Sequence, residues 1–162
     1  MAKSEYLQQI AHTLRQHRWA ALATVDETVQ PLASMVAYAM DTDLNCLYLH
    51  LSGLAAHTRE LRSQPTAALL ISECDSGNGD PQQLARLSLR TSGEIIARDA
   101  EDYEAAKRCY LKRLPDAEQL FGFGDFMLFR LKVEGARFVG GFGRAHSYRG
   151  EEIARLLQQV DG

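Results

Sequence analysis

Three short apolar runs follow one another with almost nothing between them: WAALATVD (19–26), PLASMVAYAM (31–40) and LNCLYLHL (44–51). Each has the length and apolar character of a strand bounded by polar turn residues. Parallel neighbours would need a crossover of roughly a dozen residues or more. The turns at Asp26-Glu27 and Asp41-Thr42-Asp43 are far shorter, so the runs must form an antiparallel meander.

The flanking segments fit that frame. Ser4 can cap a helix reaching His17, with Leu7, Ile10, Ala11 and Leu14 on one stripe. A helix over Leu54–Ser63 stops before Pro65, and TAALLIS (66–72) reads as a strand buried on both faces because it does not alternate. A polar loop (73–83) leads to a long strand (86–97), bent at Gly93. Asp99 caps a helix reaching Leu114, which Pro115 ends. Strands over 125–134 and 136–147 and a helix from Glu151 complete the chain. Strands without regular alternation with helices make the fold α+β, and closure into a small barrel removes exposed sheet edges. The expectation is one domain over 1–162, six strands and flanking helices.

Composition narrows the function. Basic residues number 18 and acidic residues 21, mixed along the chain, which argues against nucleic-acid binding. No apolar run approaches the roughly 20 residues that span a bilayer, so no membrane partner is expected. Cys46, Cys74 and Cys109 show no CxxC spacing, which indicates neither a disulfide framework nor a zinc site and fits a cytoplasmic protein. Neither a GxSxG elbow nor an HExxH motif occurs. Any chemistry must then be carried by a cofactor.

HLSGLAAHTRELRSQP (50–65) is the stretch with most chemical content. A turn after the strand brings Ser52, His57, Thr58 and Arg59 toward a helix start, whose unpaired N–H groups suit a phosphate. The bland alternative is that Ser52 or Thr58 is a cap and Arg59 a solvated charge.

The run from Ala21 to Ile71 resembles the pyridoxamine 5'-phosphate oxidase-like FMN-binding split barrel, and Ser-x-Leu-x-x-His-Thr is typical of one branch. GDPQQLARLSLRTSGEI, DFMLFRL and FVGGFGRAHSY are similar to the heme-utilisation branch, whose members bind or degrade heme. The resemblance implies a homodimer of split β-barrels with FMN at the interface and a flavin-dependent oxidoreductase activity. It puts Ser34, Met35 and Val36 beside the flavin ring and Ser52, His57 and Thr58 at its phosphate, while His50, at the end of its strand, is placed to flank the cofactor site. Arg86 and Arg144 can add charge for a phosphate or a propionate. The vitamin oxidases carry an Arg-Lys pair where this chain has Ala56-His57, and an arginine where it has Ser34, which argues against pyridoxamine phosphate oxidation.

The alternative cofactor is heme, in the same dimer cleft. Heme-degrading relatives supply a ligand histidine from the C-terminal tail and an acid just before the FMLFRL strand. Asp125 matches that acid, but the tail QQVDG has no histidine, leaving His146 as the candidate ligand. His12 and His17 read as surface residues, and His146 is otherwise a hydrogen-bonded loop histidine. The VGGFG glycines lie at a strand and mark a bulge or close approach rather than a nucleotide loop. Phe121, Phe123, Phe126 and Phe129 read as core or dimer packing. A third reading is a non-catalytic split barrel serving as a binding module.

Overall fold

A computed structural model describes residues 3–43, 45–141 and 144–160. Helix α1 (Lys3–Gln16) is followed by strands β1 (Trp19–Val25), β2 (Pro31–Ala37), β3 (Ala39–Met40) and β4 (Cys46–Ser52). Helix α2 (Ala56–Ser63) leads into β5 (Thr66–Ser72) and β6 (Arg86–Ile96). Helix α3 (Tyr103–Arg113) and a 3-10 helix (Pro115–Gly122) precede β7 (Phe126–Val139), β8 (Ala145–Arg149) and α4 (Gly150–Val160). The side chain of Ser4, the first residue of the expected strand at 44, and residues 142–143 of the expected last strand lie outside the described residues.

All the strand pairings are antiparallel; short links demand this for β1–β2, β3–β4 and β7–β8. The order is β2-β1-β5-β6-β7-β4-β3, with β8 on β7, so the sheet holds eight strands among the described residues rather than the expected six. β2 and β3 stand at opposite ends of this order, yet only Tyr38 separates them in the chain. The ends of the sheet must therefore meet, and the sheet curls on itself. Tyr38 secures the bend, being 1% exposed and donating its hydroxyl to Leu14 O at 3.0 Å.

The segments expected as two strands, 125–134 and 136–147, are mostly one strand, β7. Gly135 does not turn the chain, because a bulge beside it absorbs the irregularity: Val133 pairs with Thr91 and Gly135 with Arg90, leaving Glu134 unpaired between them. At this bulge β7 changes its outer neighbour, from β4 along 126–132 to β8 along 135–139. That exchange splits the curled sheet.

The interior is closed by Ile10, Leu22, Leu69, Leu87, Phe129 and Phe138, each at most 1% exposed. β4 is buried on both faces: Leu47, Leu49 and Leu51 enter the main core, while Cys46, Tyr48 and the neighbouring His50 turn toward α3 and the 3-10 helix. Burial pushes the Cys46 thiol up to about 12. Gly93 lies where α2 crosses β6, and a Cβ there would meet Leu61 at 2.9 Å.

Two further expectations are corrected. The helix expected from Asp99 begins at Tyr103, and the Asp102 carboxylate at its N-cap pairs with Arg130 instead of capping the turn. TAALLIS is not buried on both faces: Leu70 is 42% exposed. Its lack of alternation instead reflects an apolar outer face. Ala21 of β1 lies between Met35 of β2 and Leu70 of β5, and Ala23 lies between Ala33 and Ala68.

Candidate functional site

Ser52 closes β4 directly across from Phe126, the first residue of β7. Its hydroxyl donates to Asp125 Oδ2 at 2.7 Å and accepts from Leu54 N at 3.2 Å, while Gly53 N donates to Asp125 O at 2.7 Å. The turn into α2 is therefore bolted to the residue preceding β7. A Cβ at position 53 would lie 2.9 Å from Asp125 O, so only glycine fits this approach.

Helix α2 starts at Ala56 with Ala55 as N-cap and no side-chain cap, leaving its first N–H groups without intrahelical partners. The residues expected to gather there divide. Thr58 is fully buried, with no hydrogen-bond partner for its hydroxyl among the described residues. His57 is half-buried, and burial pushes its imidazole below the usual value against the opposing pull of Glu60. Arg59 turns back, donating to Leu54 O at 2.6 Å. The one carboxylate hydrogen-bonded to this turn is Asp125, among the described residues.

His50, expected at a strand end, lies inside β4 and is 6% exposed. Its ring stacks on Phe121 at 3.7 Å with planes 4° apart, and Tyr110 and Phe126 approach at 5.9 and 5.1 Å. Neither ring nitrogen has a partner among the described residues. Burial first, then the charges of Arg98 and Lys107, hold its pKa down at about 4. The expected phenylalanine cluster is thereby split, since Phe129 faces the main core while Phe121 covers His50.

On β2, Val36 points into the core and Ser34 shares that inward parity, whereas Met35 lies on the apolar outer face, 48% exposed. Arg86, Arg144 and His146 belong elsewhere. Arg86 donates to Gln82 O and Leu84 O and pairs across from Val139. Arg144 is exposed in the loop closed by its hydrogen bonds with Gly140 and Gly141. His146 pairs with Phe138, is exposed and rests on Tyr6 at 4.1 Å. These three mark the far end of β7, about 40 Å along the strand from Asp125 at roughly 3.3 Å per residue. One chain therefore does not bring them to Ser52, and Asp125 does not orient His146 of its own chain.

The residues lining the cavity beside His50 escaped the sequence reading. Trp19, Tyr110, Leu114 and Leu120 converge on a volume of about 590 Å³. They come from three separate elements, and no local pattern links them.

Comparison with known proteins agrees with this architecture. The chain is 32% identical over 121 residues to the chloroplastic heme oxygenase HOZ of Arabidopsis thaliana, covering 75% of this chain and 35% of that protein. It thus spans about a third of that relative's length. The heme oxygenase HutZ of Vibrio cholerae is 25% identical over 155 residues, covering 95% of this chain and 87% of the relative. A heme binding protein from Mycobacterium smegmatis superposes with a TM-score of 0.81 at 29% identity, covering 96% of this chain and 61% of that one. A Clostridium acetobutylicum protein of the pyridoxinephosphate oxidase family shares the fold, with a TM-score of 0.69 at 14% identity over 94% of this chain and 99% of that one. The likeness to split barrels and to heme-utilisation proteins is borne out. The sequence model of the CREG beta-barrel family matches residues 4–153, and the chain belongs to that family.

Proposed function

We propose that this protein binds heme as a homodimer and acts on it oxidatively, as the names of its heme oxygenase relatives describe for them. The observation that carries this reading is the 2.7 Å hydrogen bond from Ser52 to Asp125. A flavin phosphate at the start of α2 would meet a carboxylate there, and like charges at short range repel. For heme the same carboxylate is an asset: held by Ser52, it can accept the N–H of an imidazole and so orient a ligand histidine. Heme, once bound, supplies the redox-active iron. Within one copy the residues fit in part. Asp125 suits an orienting acid, while His146 could meet it only from a second copy.

The bare face of β1, β2 and β5 supports the homodimer. Its outward positions, including Ala21, Ala23, Ala33, Met35 and Leu70, carry no charge, and a contiguous apolar sheet face of this kind marks an interface. Three free cysteines fit a reducing compartment such as the cytoplasm, and no helix among the described residues is long and apolar enough to cross a membrane.

The second reading is an FMN-dependent oxidoreductase, favoured by the uncapped start of α2. Ser52, His57 and Thr58 would then attend the phosphate, and Ser34, Met35 and Val36 the flavin ring, with His50 behind. Arg86 and Arg144 could contribute only from the partner copy.

Absorbance titration separates the two. Hemin should give a saturable, shifted Soret band that changes in Asp125→Asn, while FMN leaves its own spectrum unaltered. Saturable FMN binding without a hemin response would replace the heme reading with the flavin one.

A further inference from the structure

The β1–β2 hairpin carries a residue that its own fold does not explain. Val29 is the one non-glycine residue of positive φ among the described residues, at 63°, and is 74% exposed. A β-branched side chain is strained in that region, where glycine or asparagine usually stands. The turn nevertheless holds it firmly. Val29 N donates to Asp26 O at 3.0 Å, and the Asp26 carboxylate accepts from Thr28 N and Gln30 N at 2.8 and 2.9 Å.

The two ends of this hairpin differ in charge. Val25 pairs with Pro31 at the tip, beside Asp26 and Glu27, and Trp19 pairs with Ala37 at the root, beside exposed Arg18. Arg113 also stands at the root, donating to His17 O at 3.1 Å. There the outer sheet face runs into the cavity of about 590 Å³, with Trp19 and Ala37 on the sheet and Leu114 and Leu120 beyond it. Asp116 is the acidic member of its lining. Root and tip lie about 20 Å apart along the seven residues of β1.

Two sheets packed face to face in a dimer are related by a two-fold axis lying between them. An axis along the strands would set tip on tip, Glu27 against Glu27, and like charges repel. An axis across the strands sets each acidic tip over the partner's basic root. We infer that the homodimer takes this second arrangement, with Val29 of each copy seated in the other's cavity between Trp19 and Leu120, and Glu27 facing the partner's Arg18. The inference rests on the homodimer reading and on neither cofactor.

Crosslinking reads the arrangement. In a Cys74→Ser, Cys109→Ala background, which removes the cysteines that are not fully buried, chains carrying Val29→Cys are coexpressed with chains carrying Ala37→Cys and treated with a short bismaleimide. The mixed pair should crosslink. Crosslinking of Val29→Cys chains to one another, or none in the mixture, would overturn the inference. In ultracentrifugation Glu27→Arg and Arg18→Glu should each weaken the dimer about fivefold or more, and both together in one chain should restore it. Val29→Gly should weaken it about tenfold or more, through loss of two buried side chains. The same substitution in the monomeric Leu70→Glu chain should not lower the melting temperature, since glycine accepts the positive φ. No recovery in the charge-exchanged chain, unchanged dimer affinity in Val29→Gly, or a lowered melting temperature would each sink the inference. A dimer that Leu70→Glu still splits would then leave the homodimer reading standing, whereas a chain monomeric throughout removes both.

Discussion

The His50 imidazole lies flat against the Phe121 ring, 3.7 Å between centroids, with neither nitrogen hydrogen-bonded among the described residues. This contact joins β4 to the 3-10 helix and makes a titratable group part of the packing. Protonating it would place a charge in an apolar layer already facing Arg98 and Lys107.

Stability should therefore fall in mild acid. The His50 pKa drops from 6.5 unfolded to about 4 folded, so the unfolded chain binds the proton more readily between those values. The contribution is complete above pH 6.5 and is lost as pH falls toward 4, about 3 kcal/mol in all. Urea unfolding at pH 7 and pH 5 should differ by about 2 kcal/mol from this group alone. His50→Phe should show a flatter profile, and an unchanged slope in that variant would remove His50 as the cause.

Removing the carboxylate from the α2 turn should make that turn a better anion site. Asp125→Asn is expected to raise the affinity for inorganic phosphate or FMN by about two- to fivefold, through loss of repulsion at a helix N-terminus. Fluorescence titration of FMN measures it; unchanged or weaker binding would mean that the Ser52–Asp125 pair does not govern anion access.

The apolar outer face should disappear into a dimer. Light scattering coupled to gel filtration should report twice the chain mass, and Leu70→Glu should report a single chain with native circular dichroism. A monomer before substitution would sink the proposed assembly.

Gly93→Ala should cost about 1–3 kcal/mol, since the added methyl overpacks the α2 contact with Leu61. Leu61→Ala in the same chain should recover part of that loss, leaving a smaller penalty than the sum of the two single substitutions. Additive losses in urea midpoints would show that the two side chains do not meet.

Much of the strand content was legible in the residues because strands and turns are local matters. The short turns forced antiparallel neighbours, and the α+β class followed. Glu134-Gly135 misled, because a glycine within an apolar run reads equally as a turn or a bulge; the register of β6 against β7 chose the bulge. TAALLIS misled for a related reason, since apolar residues on both faces say nothing of what covers the outer one. Ser52 and Asp125 were both identified, but their hydrogen bond spans 73 positions and leaves no local trace.

Sequence alone thus determined the alternation of short strands and turns, the absence of crossover helices, and the residue types near the α2 start. Tertiary structure decided which of them meet. Local conformation depends on neighbours in the chain, whereas adjacency in space depends on which strand edges pair and how far the sheet curls. That curl brings Trp19, His50 and Leu120 to one cavity, and the length of β7 keeps His146 from Asp125 within a single chain.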